Sequence, residues 1–168
     1  MHAFQTAGTD ILEINPFEKI GKDWMLVTAG DEKKANTMTA SWGGMGVMWG
    51  KDVVFVVIRQ TRYTKEFIDA KGAFSLSFPM EQYRKEMKFL GAVSGRDEDK
   101  ITESGLHVGY DEGIPYIDEA NLVLLCRTMS ATKLSMQDML DAGIEGTWYQ
   151  DGNLHTMYIA EITKVLMR

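Results

Sequence analysis

Two short segments carry residue types and spacings that could do chemistry. In Arg59-Gln60-Thr61-Arg62-Tyr63-Thr64, two guanidiniums and three hydroxyls fall within six residues, where an apolar run gives way to a helical pattern. Forked charged donors, neutral donors and the free amides of a helix N-terminus suit one anion, such as a single phosphate group. The same spacing equally allows both arginines to pair with acids such as Glu66 or Asp69. The second segment is Asn36-Thr37-Met38-Thr39-Ala40-Ser41-Trp42-Gly43-Gly44. Its small side chains would let a flat ligand approach the backbone and use its amides and carbonyls. A half-exposed strand with solvent-facing hydroxyls accounts for it as well.

Other chemistries fail on spacing. Gly44-Met45-Gly46-Val47-Met48-Trp49 begins like a dinucleotide fingerprint but has Trp49 at the third glycine position and opens no helix. Gly50-Lys51 resembles the end of a P-loop, yet Met45 stands at the first glycine and Asp52 replaces the hydroxyl. His2, His107 and His155 lack metal-ligand spacing with one another or with Cys126, so no metal site is expected. No G-x-S-x-G elbow accompanies the serines. Cys126 lies in an apolar run, where burial makes a thiol inert, and the twelve methionines read as adaptable core filling.

The elements that must position the two segments are mostly short strands. Strands are expected at residues 24–29, 37–42, 53–58 and 73–78, then at 108–110, 115–118, 121–129 and 157–167. Residues 53–58 are all apolar and mostly β-branched, as in a strand buried on both faces. Gly43, Gly44 and Gly46 should break regular structure. Thr61 is the expected N-cap of a helix over 62–71 that Gly72 stops. Met80, Tyr83, Met87 and Leu90 follow helical spacing. Residues 91–96 read as a loop, 97–102 as one helical turn and 135–142 as a further helix. Helices only punctuate this order, so the expected fold is mainly β: one antiparallel sheet closing into a small barrel with peripheral helices.

The chain of 168 residues suits one domain spanning 1–168, with a core that needs neither disulfides nor metal. Its 18 basic and 24 acidic side chains give a net charge of −6, which disfavours general nucleic-acid or membrane-surface binding. No apolar stretch is long enough for a membrane helix and no secretory signal is visible. With a single cysteine, the expected location is cytoplasmic.

The two segments, taken with Asp23-Trp24, Val27-Thr28-Ala29-Gly30, Met48-Trp49-Gly50-Lys51, Phe67, Phe74-Ser75-Leu76-Ser77-Phe78 and Ser94-Gly95-Arg96-Asp97-Glu98-Asp99-Lys100, resemble the flavin reductase-like, flavoredoxin-type flavoproteins. Departures are Asp52, where a proline is frequent, and Ala160, where a glycine is common. The resemblance implies a Greek-key-like split β-barrel that binds FMN non-covalently, usually as a homodimer with the flavin near the subunit interface. By the same resemblance, Met38, Thr39, Ala40, Ser41 and Trp42, with Asn36 beside them, would line the flavin ring. Arg59, Arg62, Tyr63 and Thr64 would hold its phosphate, and Ser94, Gly95 and Lys100 would form a further cofactor-side loop. The implied activity is that of an oxidoreductase drawing electrons from NADH or NADPH for a small-molecule or protein acceptor. Because the flavin itself takes up hydride, the protein needs no general base. Two alternatives stand beside it: a flavin-binding electron carrier without nicotinamide turnover, and a small-ligand barrel without a cofactor.

Overall fold

The apolar run at 53–58 forms the middle of a longer strand that lies inside one large sheet. In the computed structural model, which describes residues 2–168, the chain runs β1 (Gln5–Ala7), α1 (Pro16–Gly21), β2 (Met25–Gly30), β3 (Ala35–Ala40), β4 (Gly43–Met48) and β5 (Lys51–Arg59). There follow α2 (Tyr63–Lys71), β6 (Ala73–Pro79), α3 (Arg84–Ala92), α4 (Lys100–Ser104), β7 (Val108–Asp111) and β8 (Ile114–Ile117). The order ends with β9 (Ala120–Lys133), α5 (Ala142–Trp148) and β10 (His155–Met167).

The sheet has the strand order β3-β2-β6-β9-β10-β5-β4, with β1 added to β10 and β7–β8 forming a separate hairpin. All pairings among the described residues are antiparallel. The mainly antiparallel β architecture agrees with the sequence reading, but the expected closure does not occur. β3 and β4 are the two ends of the hydrogen-bonded path. Only Ser41 and Trp42 separate them in the chain, so the sheet must roll until its edges meet at that link. β3 pairs with β2 and β4 with β5, and their other edges stay apart, which leaves the barrel split.

Packing explains why the roll is held. Val27, Val54, Val56, Ile58, Phe74, Leu76, Leu124 and Tyr158 fill the main core. A second cluster, with Leu26, Met87, Leu90, Ile101 and Ile117, seats α3 and α4 against the sheet. Buried hydroxyls are satisfied locally: Thr28 and Thr37 share a 2.9 Å hydrogen bond across β2 and β3. Ser75 Oγ donates to the Pro115 carbonyl and Ser77 Oγ accepts from the Ile117 amide, pinning β8 onto β6.

Several local expectations change. Gly43, Gly44 and Gly46 lie inside β4 instead of breaking it. A Cβ at Gly43 would come within 2.5 Å of the Phe55 carbonyl oxygen, and one at Gly44 within 2.3 Å of the Phe55 ring. Their glycines therefore allow β4 to lie close against β5. β5 is not buried on both faces throughout, since Phe55 is 41% exposed. Arg62, not Thr61, is the N-cap of α2, without a side-chain cap, while Gly72 stops the helix at φ 64° as expected. The 80–90 pattern splits into a 3₁₀ turn, Glu81–Tyr83, and α3, which continues through Ala92 into the expected loop. The expected helical turn moves to Lys100–Ser104. The helix expected at 135–142 is a 3₁₀ turn at Met136–Asp138, with α5 beginning only at Ala142. Asp141 sets that start by capping the Gly143 amide. Two elements missed by hydrophobic patterning are β1 and α1, the latter capped by Asn15 with Pro16 next to it. Cys126 is fully buried, and burial pushes its thiol far above the usual range.

Candidate functional site

β5 carries Arg59 to its end, and a tight turn, with the Arg62 amide donating to the Arg59 carbonyl, leads into α2. A cap position normally holds a short acceptor side chain. Arg62 cannot serve that way, so its guanidinium turns toward α3 and donates to the Gly91 carbonyl at 2.8 Å. Lys100, at the start of α4, is only 3% exposed and donates to the Leu90 and Val93 carbonyls at 2.8 and 2.9 Å. The last carbonyls of a helix lack intrahelical partners and form its negative end. Both cations thus close the C-terminus of α3, held there by packing of Leu90 and Ile101 in the second core cluster.

Neither cation forms an ion pair with a carboxylate among the described residues. Burial, and then the nearby Arg62 charge, pull the Lys100 ammonium down to about 8. Burial, followed by the Arg59 charge, lowers Arg62 as well. Positive charges crowded together with only neutral partners favour an incoming anion.

They border a cavity of about 320 Å³ that brings together nine of the expected site residues: Asn36, Met38, Arg59, Arg62, Tyr63, Thr64, Ser94, Gly95 and Lys100. Thr61, Ala92 and Val93 complete its wall. Asn36 Nδ2 donates to Thr64 Oγ1 at 2.7 Å, which locks β3 to the start of α2. A Cβ at Gly95 would stand 2.0 Å from Asn36 Oδ1, so only glycine lets this loop close on β3.

The other four expected residues, Thr39, Ala40, Ser41 and Trp42, do not line this cavity. They continue from it along β3 to the split between the sheet edges. The Thr39 hydroxyl is committed to the Met87 carbonyl of α3. Trp42 packs edge-on against Trp148, with centroids 4.8 Å apart, and lies 5.2 Å from the His155 ring.

The acid partners considered for the arginines are engaged elsewhere. Glu66 pairs with Arg96, while Asp69 pairs with Lys65 and accepts from the Tyr158 hydroxyl. Arg59 instead donates to the Asn153 and Trp148 carbonyls and lies 3.6 Å from Asp151. Residues not foreseen at the site come from long-range pairing. His155 stands opposite Arg59 in the β5–β10 register and shares a 2.7 Å hydrogen bond with the Tyr149 hydroxyl. Burial, then the Arg59 and Arg62 charges, pull its imidazole down to about 4. No local sequence signal links residues so far apart. Lys34 and Arg96, also unforeseen, flank the Tyr63 ring at 5.2 and 4.9 Å.

Comparison with known proteins identifies the family and the fold. Residues 17–168 match the flavin reductase like domain. The chain is 30% identical over 152 residues to the uncharacterized protein YddH of Escherichia coli (strain K12), covering 80% of each. Among solved structures it resembles flavoredoxin from Methanosarcina acetivorans, with TM-score 0.68 and 26% identity over 94% of this chain and 75% of that one. An FMN-binding domain of a flavin reductases-like enzyme from Shewanella baltica OS155 shares the fold, at TM-score 0.69 and 17% identity, over 98% and 77% of the two chains. A split antiparallel sheet, with a cationic cavity where β5 meets α2, is thus the setting in which the match over 17–168 is to be read: the chain belongs to the flavin reductase-like domain family.

Proposed function

We propose that the protein binds FMN non-covalently and acts as an oxidoreductase, taking electrons from NADH or NADPH and passing them to free flavin, a partner protein or another acceptor. One observation carries this reading: among the described residues, Arg62 and Lys100 are held at a cavity by carbonyls alone, with no carboxylate paired to either. The donor set fits a phosphate. Arg62 and Lys100 would supply charged donors, and the Thr61, Thr64 and Ser94 hydroxyls would supply neutral ones. The uncapped first turn of α2 adds the positive end of a helix. Arg59, already tied to the 148–153 segment, would contribute mainly long-range charge.

The chemistry that FMN supplies when bound is electron transfer through its ring. The protein's share is to bind, orient and exclude water. Backbone groups of residues 38–42 would meet the ring edge where negative charge develops. Trp42, braced by Trp148 and His155, would wall off the far side. The depressed His155 stays neutral at ordinary pH, so it adds no competing charge.

A homodimer belongs to the same proposal. Val47, Met48, Trp49 and Phe55 are exposed apolar residues of the β4–β5 hairpin, with Met48 and Phe55 on one face of it. Among the described residues no helix is long and apolar enough to cross a membrane. A cytoplasmic location is inferred from the single, buried cysteine.

An absorption spectrum with added FMN, followed by anaerobic NADH and NADPH titration, tests the function. A bound-flavin band that bleaches at catalytic rates is expected. A band that neither nucleotide bleaches would leave an electron carrier, and no band at all would overturn the flavin reading.

A further inference from the structure

Residues 134–153 leave the sheet after β9 and return to it at β10, where the Leu134 amide donates to the His155 carbonyl. Among the described residues of this segment only Tyr149 is buried, and Leu140 is 97% exposed. A segment with so little apolar burial has no core of its own to keep it in place. It is fastened at one end instead. Arg59 spreads its guanidinium across the turn that follows α5, with Nη2 donating to the Trp148 carbonyl at 3.0 Å and Nη1 to the Asn153 carbonyl at 2.9 Å. Trp148 is the last residue of α5, so Nη2 closes the C-terminus of that helix as Arg62 closes that of α3. Asp151 stands 3.6 Å from the same guanidinium, and Asn153 Nδ2 donates to Thr61 Oγ1 at 2.8 Å. The fastened end sets Trp148 against Trp42, at the link between β3 and β4, and the Tyr149 hydroxyl against His155. The segment is thus a strap whose tied end meets the split in the sheet.

We infer that Arg59 is a positioning residue: its fork fastens the 134–153 strap, and the strap in turn holds Trp148 against Trp42 beside the ring of the bound ligand. Only a planar guanidinium suits this task, because it reaches two carbonyls at once, whereas an ammonium is a point charge on a flexible stem. The two arginines of the 59–64 cluster then divide the work. Arg62 faces the ligand's phosphate, and Arg59 faces the strap. The part of the inference that concerns the ring rests on the flavin reading; the fastening of the strap does not.

The test compares the unaltered full chain with Arg59→Lys, which keeps the charge and loses the fork, and with Trp148→Ala. Hydrogen exchange of the flavin-free proteins is followed at the Tyr149 and Gly152 amides, which donate to the Glu145 and Tyr149 carbonyls within the strap. Arg59→Lys should speed both by at least about tenfold, the scale of one hydrogen bond to a charged group, and leave the β6 amides unchanged. FMN and riboflavin titrations follow. Both ligands present the ring, so Arg59→Lys and Trp148→Ala should each weaken the two by a common factor of about threefold to tenfold. The ratio of FMN to riboflavin affinity should stay within about twofold of the unaltered protein's. Unchanged exchange in Arg59→Lys overturns the fastening. Faster exchange with both affinities unaltered overturns the role at the ring, and a loss confined to FMN returns Arg59 to the phosphate. Should neither flavin bind the unaltered protein, the flavin reading falls and the exchange rates alone decide the strap.

Discussion

Two groups of cations in this protein obey different rules. On the outside, Lys51 pairs with Glu161, Lys65 with Asp69, Lys71 with Asp31 and Lys164 with Asp111, all at 2.6–2.7 Å. Inside the cavity, Arg62 and Lys100 bond, among the described residues, only to backbone carbonyls at the end of α3. A carboxylate beside an ammonium cancels its field, but a carbonyl satisfies the hydrogen bond and leaves the net charge in place. The outer pairs are consequently finished interactions. The inner pair keeps positive charge available, in a chain whose net charge is −6.

Removing members of each group should expose the contrast. The largest effect is expected from Arg62→Ala, which should cost about 1.5–3 kcal/mol of FMN binding, the range for a charged hydrogen-bonding partner. Equilibrium fluorescence titration measures it, and a loss near zero would place Arg62 in a purely structural role. Arg59→Ala should cost less, because Arg59 is already held by the Asn153 and Trp148 carbonyls and stands near Asp151.

Lys100 should show its character through pH. Its ammonium is held down to about 8, so FMN affinity should fall as pH rises through that value and the charge is lost. A bound phosphate favours the charged form, so binding in this range should take up a proton, detectable by calorimetry in buffers of different ionisation enthalpy. Stability of the flavin-free protein should move the other way. Between about 8 and the ordinary lysine value of 10.5, the unfolded chain holds more protons than the folded one. The Lys100-dependent part of stability therefore rises with pH across that window. It is read as the melting difference between the unaltered protein and Lys100→Met, and a flat difference would contradict the depressed value.

The smallest effect belongs to the exterior. Lys51→Ala should change stability by less than about 1 kcal/mol, as exposed ion pairs generally do, and should not alter flavin affinity.

Much of this contrast could be anticipated from residue order, but not its cause. The β-branched run at 53–58, the helix stop at Gly72 and the Arg59–Thr64 cluster are local signals, and local steric and capping rules suffice to read them. The choice between a phosphate site and acid pairing was open because it depends on where α3 ends. Only tertiary packing of Leu90 and Ile101 sets those carbonyls before Arg62 and Lys100. Gly43 and Gly44 misled for a similar reason: glycine marks both a break and a close approach, and only the position of Phe55 distinguishes them. The Trp42, Trp148 and His155 cluster was illegible because it forms where the β10 register returns residue 155 beside residue 59.

The central claim is that a mononucleotide is held chiefly by its phosphate, in the cavity between the start of α2 and the end of α3. Riboflavin presents the same ring without that phosphate. Parallel titrations of FMN and riboflavin against the unaltered protein and Arg62→Ala test the claim directly. The account predicts that riboflavin binds at least about tenfold more weakly than FMN, the scale of one charge-assisted partner, and that Arg62→Ala largely erases the difference. Equal affinity for the two ligands in the unaltered protein would contradict it.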